Sequence, residues 1–525
     1  MSRSQTNIHG TSIVAGFQTD ASEARFHAFH PLTKKASNES YFAATPKDVD
    51  RAARQAAEAF PSLREDTGCR AAMLDAVAAG LADLGQSLID AACEETGLPV
   101  ARITMERDRT VRQLRMFAEI VRDGTWVEAV INRGDPNRAP LPKPDIRRML
   151  RPLGPVAVFG ASNFPLAYSV AGGDTTSALA SGCPVVVKGH SAHPKTGELT
   201  AETIRRAVED VGLHPGSFSF LQAGGIRDVA VGVELLSHPC IKAGGFTGSV
   251  KAGMALNRLA QDRNPPVPFF AEMGSVNPVV VLPKMLNSRA QEIASKLAQS
   301  AFASNGQMCT CPGLMFVIRG DAAEAFKERL RAEAAAISTM TLLTPRIEQA
   351  WHEGVRAAIE CGARSLTESA GGVLPTVLVV GARQFMSNPS LAEETFGPST
   401  IIVECEDVHE LRASLSVIAG SLTATLWCES DEPEAATVFE SLEAMSGRIV
   451  VNAVPTGVEV CDAMVHSGPY PASNRPDSTA VGSFAIRRWC RPVAYQNVPQ
   501  SLMPLALQDE NELGILRLVE GEWEV

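Results

Sequence analysis

Two patterns of apolar and polar positions alternate along the middle of the chain. One is a short, nearly continuous apolar run, at 154–160, 184–188, 218–222 and 241–246. Runs of this length, bounded by turn residues, read as strands buried on both faces. The other is small and apolar residues at helical spacing, at 171–181 and 196–211. Strand and helix in alternation predict a parallel sheet covered on both sides. The strands close on small residues: Gly160, Gly189, Gly224-Gly225 and Thr247-Gly248-Ser249.

The alternation resumes further on. Strands are expected at 278–282, 315–318, 373–380, 399–404 and 448–452, and helices at 288–304, 322–336, 347–361 and 435–444. This is a second α/β unit. Before the first sheet, 1–45 reads as short strands. A long helical region spans 49–122, opened by Thr45 as N-cap and Pro46 in the first turn and broken near 66–68 and 97–99. Residues 132–150 are rich in Pro, Asn, Arg and Asp, an extended arm ending in an exposed strand, and 484–495 alternates in a way that suits pairing with it. The tract 454–474 is loop-rich, as a site-lining segment is. The expected division is a cofactor-binding domain of 1–131 and 151–272, a catalytic domain of 273–475, and an oligomerisation arm with C-terminal segment of 132–150 and 476–525. The fold class is α/β, with a Rossmann-like parallel sheet.

A chain of 525 residues is too long for one ordinary core, which agrees with this division. A net charge of −11 with interspersed signs argues against a nucleic-acid partner. Eleven cysteines without a CxxC pair are the usage of a reducing compartment, and no zinc spacing appears, so no metal is expected. The polar N-terminus and the lack of a long apolar run predict a cytoplasmic protein with no membrane partner.

Glycine-bearing strand ends let backbone amides and helix N-termini approach phosphates. Four of them together favour a dinucleotide site, although neither GxGxxG nor GxxxxGK[ST] is present. Cys309 lies in Asn305-Gly306-Gln307-Met308-Cys309-Thr310-Cys311-Pro312-Gly313, where a helix hands over to a strand. A thiol held there is either a nucleophile at a cleft or one more buried cysteine. Glu272 ends an apolar stretch. Buried, its pKa rises and it can act as general base; at a strand edge it is a surface residue. Arg109, Arg112 and Arg115 lie on adjacent turns of one helix, either a solvated face or a carboxylate clamp.

Taken together, these stretches resemble the aldehyde dehydrogenase superfamily over nearly the whole chain. The family's G-Q-x-C loop is Gly306-Gln307-Met308-Cys309. Its E-x-G-G-x-x-P motif is Glu272-Met273-Gly274-Ser275-Val276-Asn277-Pro278, with Ser275 for the second glycine. P-W-N-F-P appears as Ala161-Ser162-Asn163-Phe164-Pro165, with Ser162 for tryptophan. F-T-G-S is Phe246-Thr247-Gly248-Ser249, and E-E-x-F-G-P is Glu393 to Pro398.

The resemblance implies that Cys309 attacks an aldehyde carbon, that Asn163 and the Cys309 N–H hold the oxyanion, and that Glu272 activates water against the thioester. It places Lys188, Ser191, Phe159, Gly225, Thr247, Gly248, Ser249, Met273, Glu394 and Phe396 at the cofactor, Lys188 on the adenosine ribose and Glu394 on the nicotinamide ribose. Many NAD-preferring relatives carry a glutamate where Ser191 stands. Its absence predicts NADP as the preferred cofactor, with NAD also used.

Further local likeness points to a bacterial branch of α-ketoglutaric semialdehyde (2,5-dioxovalerate) dehydrogenases and NADP-dependent fatty aldehyde dehydrogenases. The first is the expected chemistry, with Arg109 or Arg112 on the substrate carboxylate. The alternatives are a medium or long aliphatic aldehyde, or a cofactor-independent thiol esterase. A homodimer or homotetramer is implied by resemblance.

Overall fold

The structure is a computed structural model that describes residues 8–367 and 371–525. Four helices come first: α1 (Pro46–Glu65), α2 (Thr67–Asp83), α3 (Gly85–Thr96) and α4 (Val100–Asp123). Thr45 and Asp48 form a capping box at the start of α1, each side chain taking the other's backbone N–H. The helical region breaks once more than expected, at Leu84-Gly85, where Gly85 has φ +53.

The first sheet is built from β1 (Val156–Phe159), β2 (Val185–Lys188), β3 (Phe218–Leu221), β4 (Ala243–Thr247) and β5 (Phe269–Glu272). Between these strands run α5 (Gly173–Ser181), α6 (Pro194–Asp210), α7 (Asp228–Ser237) and α8 (Val250–Asp262). The order across the sheet is β5-β4-β1-β2-β3, all parallel, with short antiparallel strands Ile13–Val14 and Phe17–Gln18 at the β3 edge. The chain thus leaves β1 in one direction through β2 and β3 and returns to β4 on its other side. That reversal opens a crevice beyond the carboxyl ends of β1 and β4, where open α/β sheets bind ligands. Phe159 and Thr247 are the last residues of those two strands.

The second sheet holds β6 (Val279–Val281), β7 (Leu314–Ile318), β8 (Thr376–Gly381), β9 (Ser399–Cys405), β10 (Ser421–Trp427) and β11 (Ser446–Val451). Its parallel order is β8-β9-β7-β6-β10-β11. Helix α9 (Pro283–Ala301) packs its apolar face, Ile293, Leu297 and Ala301, into the core on one side of this sheet.

A third sheet joins the arm to the C-terminus. Ile146–Pro152 pairs antiparallel with Cys490–Gln496 along its whole length, and Val130–Asn132 links it to Arg517–Val519. The expected strand at 484–495 is therefore only half strand, since Ser483–Trp489 is 3-10 helix. Those residues turn inward instead: Trp489 is fully buried and donates Nε1–H to Ser177 Oγ at 2.7 Å, and Arg488 pairs with Asp174 at 2.6 Å.

Candidate active site

Cys309 stands between α9 and β7, on a loop of uncommon backbone. Ser304, Asn305 and Gly306 have φ of +48, +59 and +69. A run of left-handed residues is costly unless held from outside, and here it is held. Arg102 Nε donates to Ser304 Oγ at 3.1 Å, and Asn305 Nδ2 donates to the Thr341 carbonyl at 2.8 Å. At Gly306 a side chain is impossible, because a Cβ would lie 2.3 Å from the Gly397 carbonyl. Arg102 is itself paired with buried Glu106 on α4 at 2.7 Å, and Glu106 accepts the N–H of Leu166 and Ala167 just beyond Asn163. One helix therefore braces both the cysteine loop and the asparagine turn.

Asn163 Nδ2 donates to the Gln307 carbonyl at 2.9 Å, which brings its amide to the cysteine loop. Asn277, inside the glutamate motif, ties the loop from the other side. Its Nδ2 donates to the carbonyls of Cys309 (2.8 Å) and Cys311 (2.9 Å), and its Oδ1 accepts from Thr423 Oγ1 at 2.9 Å. The motif thus carries a structural clamp in addition to Glu272.

Glu272 ends β5, is buried, and its Oε2 has no hydrogen-bond partner. Burial pushes its pKa up to about 8; Asp174 adds to this and Arg488 opposes it. A carboxyl in that state is mostly protonated at pH 7 and becomes a base just above it. The Cys309 thiol is pushed up to about 12, first by burial and then by the charges of Glu272 and Glu394, with Arg109 and Arg448 pulling the other way. The resting nucleophile is therefore a thiol that must lose its proton during attack. Nε2 of His466 lies 3.6 Å from Sγ. Cys311 is turned away, its Sγ on the Ser300 carbonyl at 3.4 Å.

Two guanidinium groups act electrostatically on the thiol. Arg109 donates from Nε to the Val458 carbonyl (3.1 Å) and from NH2 to Tyr168 Oη (3.2 Å). Arg448 donates to the carbonyls of Gly457 (2.8 Å) and Pro455 (2.5 Å). NH1 of Arg109 and Nε of Arg448 are buried without a partner. Among the described residues neither group is paired with a carboxylate. Arg112, the other expected clamp residue, is exposed. The buried stripe of α4 runs through Ile103, Glu106, Thr110, Gln113 and Phe117, which leaves Arg109 at its edge and turns Arg112 out to solvent.

Most of the residues expected at the cofactor stand at or just beyond the carboxyl ends of the first sheet's strands, and Glu394 and Phe396 stand just before β9 of the second sheet. Lys188 ends β2 beside Phe159 and pairs with Asp228 at 2.6 Å. Gly225 has φ +55, and Ser249 caps α8 through the N–H of Ala252. Met273 is buried, its sulfur against Gly253 of α8. Glu394 lies over Gly274, where a Cβ would come within 2.3 Å of Oε2, and it lines one cleft with Phe396, Gly306 and Cys311.

Asn277, Arg448, His466 and Asp228 were not anticipated as site residues. Asn277 lay within a quoted motif, Arg448 at the start of an expected strand, and His466 in the loop-rich tract, so the signals were positional and none was chemical.

The aldehyde dehydrogenase family model matches residues 17–468. The alpha-ketoglutaric semialdehyde dehydrogenase 2 of Azospirillum brasilense is 45% identical over 98% of this chain and 100% of its own length. The alpha-ketoglutaric semialdehyde dehydrogenase of Acinetobacter baylyi is 40% identical over 98% of each chain. In fold, the chain superposes on 1-pyrroline-5-carboxylate dehydrogenase from Thermus with bound NAD, with TM-score 0.79 and 19% identity, covering 93% of this chain and 92% of that one.

Proposed function

The chain belongs to the aldehyde dehydrogenase family, and we propose that it oxidises 2,5-dioxopentanoate, the semialdehyde of 2-oxoglutarate, to 2-oxoglutarate. The observation that carries this substrate is the pair Arg109 and Arg448. Buried cations are costly to leave unpaired. Two half-buried guanidinium groups acting on the nucleophile, each with one buried and unpartnered nitrogen, suit a small substrate with a carboxylate and a keto oxygen at the end remote from its aldehyde. A long aliphatic aldehyde would bury the same two charges without an anion. The relatives named for this semialdehyde support the same reading.

NAD or NADP, when bound, accepts the hydride that leaves the substrate carbon. The residues present fit such a cofactor: a glycine-bearing crevice at the switch point of the sheet, Lys188 at a strand end, and Glu394 on the cleft that Gly306 and Met308 of the cysteine loop line. Ser191 sets no carboxylate against the 2′-phosphate of NADP. The remaining chemistry belongs to this chain. Cys309 Sγ forms a bond to the aldehyde carbon as its proton passes to a neighbouring base. The Asn163 amide, fixed on the Gln307 carbonyl by one N–H, has the other for the oxyanion. Loss of hydride leaves a thioester on Sγ. Glu272 takes a proton from water, the water oxygen bonds to the acyl carbon, and the C–S bond breaks to release the carboxylate and the thiol.

In this reading residues up to 131 and 151–272 form the cofactor-binding domain, which lends Asn163 and Glu272 to the chemistry, 273–475 form the catalytic domain with Cys309, and the third sheet joins subunits of a homodimer or homotetramer. The eleven cysteines, all free, suit the cytoplasm. The test is a substrate panel followed by NADH and NADPH formation. A kcat/KM for 2,5-dioxopentanoate at least ~30-fold above that for hexanal, about 2 kcal/mol of transition-state discrimination, is expected. A preference for decanal sinks the semialdehyde assignment.

A further inference from the structure

Helix α7 begins directly over the end of β2. Its first residue, Asp228, holds the Lys188 ammonium at 2.6 Å. The outer side of the same turn is apolar and open: Ile226 is 93% exposed and Val229 77%. A flat heterocycle can cover such a strip, and a ribose beside it then meets Lys188 and Asp228. The cations of this corner are already engaged or uncharged. Arg227 donates to the Ala44 carbonyl and pairs with Glu234 at 2.6 Å. The stacked rings of His190 and His193 are both held neutral, first by burial. Lys188 supplies one positive charge, and Asp228 cancels it.

We propose that Asp228 selects the cofactor, accepting the ribose hydroxyls of NAD and repelling a 2′-phosphate, so that the enzyme favours NAD in spite of Ser191. The inference rests on the dinucleotide reading of the crevice and reverses the preference that position 191 alone predicts. A carboxylate at Asp228 and one at position 191 approach the ribose from different elements but perform the same rejection, building an unpaired like charge against the wrong ligand. With the carboxylate in place, a serine at 191 offers a 2′-phosphate one hydroxyl and no net positive charge.

The adenosine half can be tested without turnover. Isothermal titration of the full-length protein with 5′-AMP and with adenosine 2′,5′-bisphosphate compares the same ligand without and with the 2′-phosphate. The wild type is expected to bind 5′-AMP at least ~10-fold more tightly. Asp228→Asn keeps the side-chain shape and removes the charge. It should narrow that ratio ~10-fold or more, through tighter binding of the bisphosphate. Adding Ser191→Glu to Asp228→Asn should restore the discrimination, since a charge at either position suffices.

A wild type that binds the bisphosphate as tightly as 5′-AMP, or an unchanged ratio in Asp228→Asn, overturns the inference while leaving the crevice a nucleotide site. Binding of neither ligand, together with no NADH or NADPH formation on any aldehyde, overturns the dinucleotide reading and this inference with it.

Discussion

Nε2 of His466 lies 3.6 Å from Sγ of Cys309, and the two residues are 157 positions apart in the chain. The imidazole is buried, and its ring centroid is 5.8 Å from that of Tyr168. Burial first, then the charges of Arg448, Arg109 and Arg488, push its pKa down to about 3. It is therefore a neutral hydrogen-bond partner at every pH where the enzyme would work. That suits a thiol which must keep its proton until it attacks. An anionic substrate seated on the two arginines would offset the charges that keep the imidazole neutral, and so make it a better proton acceptor at the moment of attack.

Replacing His466 with Phe removes this acceptor and keeps an aromatic ring. The acylation rate, read as the pre-steady-state burst, is expected to fall ~10- to 100-fold, as for loss of a positioned base. Because the imidazole does not titrate near neutrality, the variant should keep the wild type's pH midpoint. A burst rate within about twofold of wild type would remove His466 from the chemistry.

Glu272 sets that midpoint instead. Its native pKa is raised to about 8 from an ordinary 4.5. Thioester hydrolysis should therefore rise with pH through about 8. The same shift has a stability consequence of definite sign. The native state holds a proton that the unfolded state has already lost, so stability is greatest below pH 4.5 and is lost as pH climbs through 8. Glu272→Gln has no such proton. Its stability should gain on wild type between pH 5 and pH 9 by on the order of a few kcal/mol at most, read as a rise of its apparent Tm relative to that of the wild type. Its steady-state rate should fall ~10²- to 10⁴-fold while a burst remains. Parallel Tm curves across that range would show that Glu272 is not desolvated.

Asn277 separates fold from chemistry. Its Nδ2 serves two carbonyls of the cysteine loop, and its Oδ1 serves Thr423 on β10. Asn277→Ala strands all of these groups and should cost roughly 2–4 kcal/mol. Asn277→Asp keeps the acceptor for Thr423 and loses the donor to the loop. It also turns a carboxyl oxygen towards both loop carbonyls, so it should cost at least as much stability as the alanine and lower the alkylation rate of Cys309 by iodoacetamide. An alkylation rate within about twofold of wild type in both variants, each of which lacks the Nδ2 donor, would mean that Asn277 does not position the thiol.

Much of this site can be read in the sequence because its parts are local. Gly306 beside Cys309 and the glutamate at the end of an apolar strand each carry their reason within a few residues. What could not be read depends on distant neighbours. The strand β10 reads Ser-Leu-Thr-Ala-Thr-Leu-Trp, so its alternating threonines imitate a half-exposed strand. Yet Thr423 and Thr425 are fully buried, between strands paired on both sides. Arg448 and His466 reach the thiol only because β11 and the loop after it fold back over it. Ser191 lies three residues after Lys188, but Asp228 meets the Lys188 ammonium from a helix 40 residues on. Local pattern shows the first of these residues and hides the second.

The arginine pair makes the sharpest claim about substrate. If Arg109 and Arg448 grip the α-keto acid end of 2,5-dioxopentanoate, Arg448→Met should lower kcat/KM for that substrate by roughly 10²-fold, about 2–3 kcal/mol for a charge-assisted contact. It should leave hexanal within about threefold. Arg109→Met should behave alike. The double variant should lose less than the sum, because a carboxylate released by one guanidinium is already poorly held by the other. Lysine at 448 would restore the charge without the fork, so only partial recovery is expected. The contrast between substrates excludes simple damage to the cysteine loop, since the Arg109 and Arg448 charges also lower the thiol pKa and their loss would slow every aldehyde alike. A uniform loss on hexanal and on 2,5-dioxopentanoate would therefore assign the two arginines to thiolate stabilisation and leave the carboxylate unread.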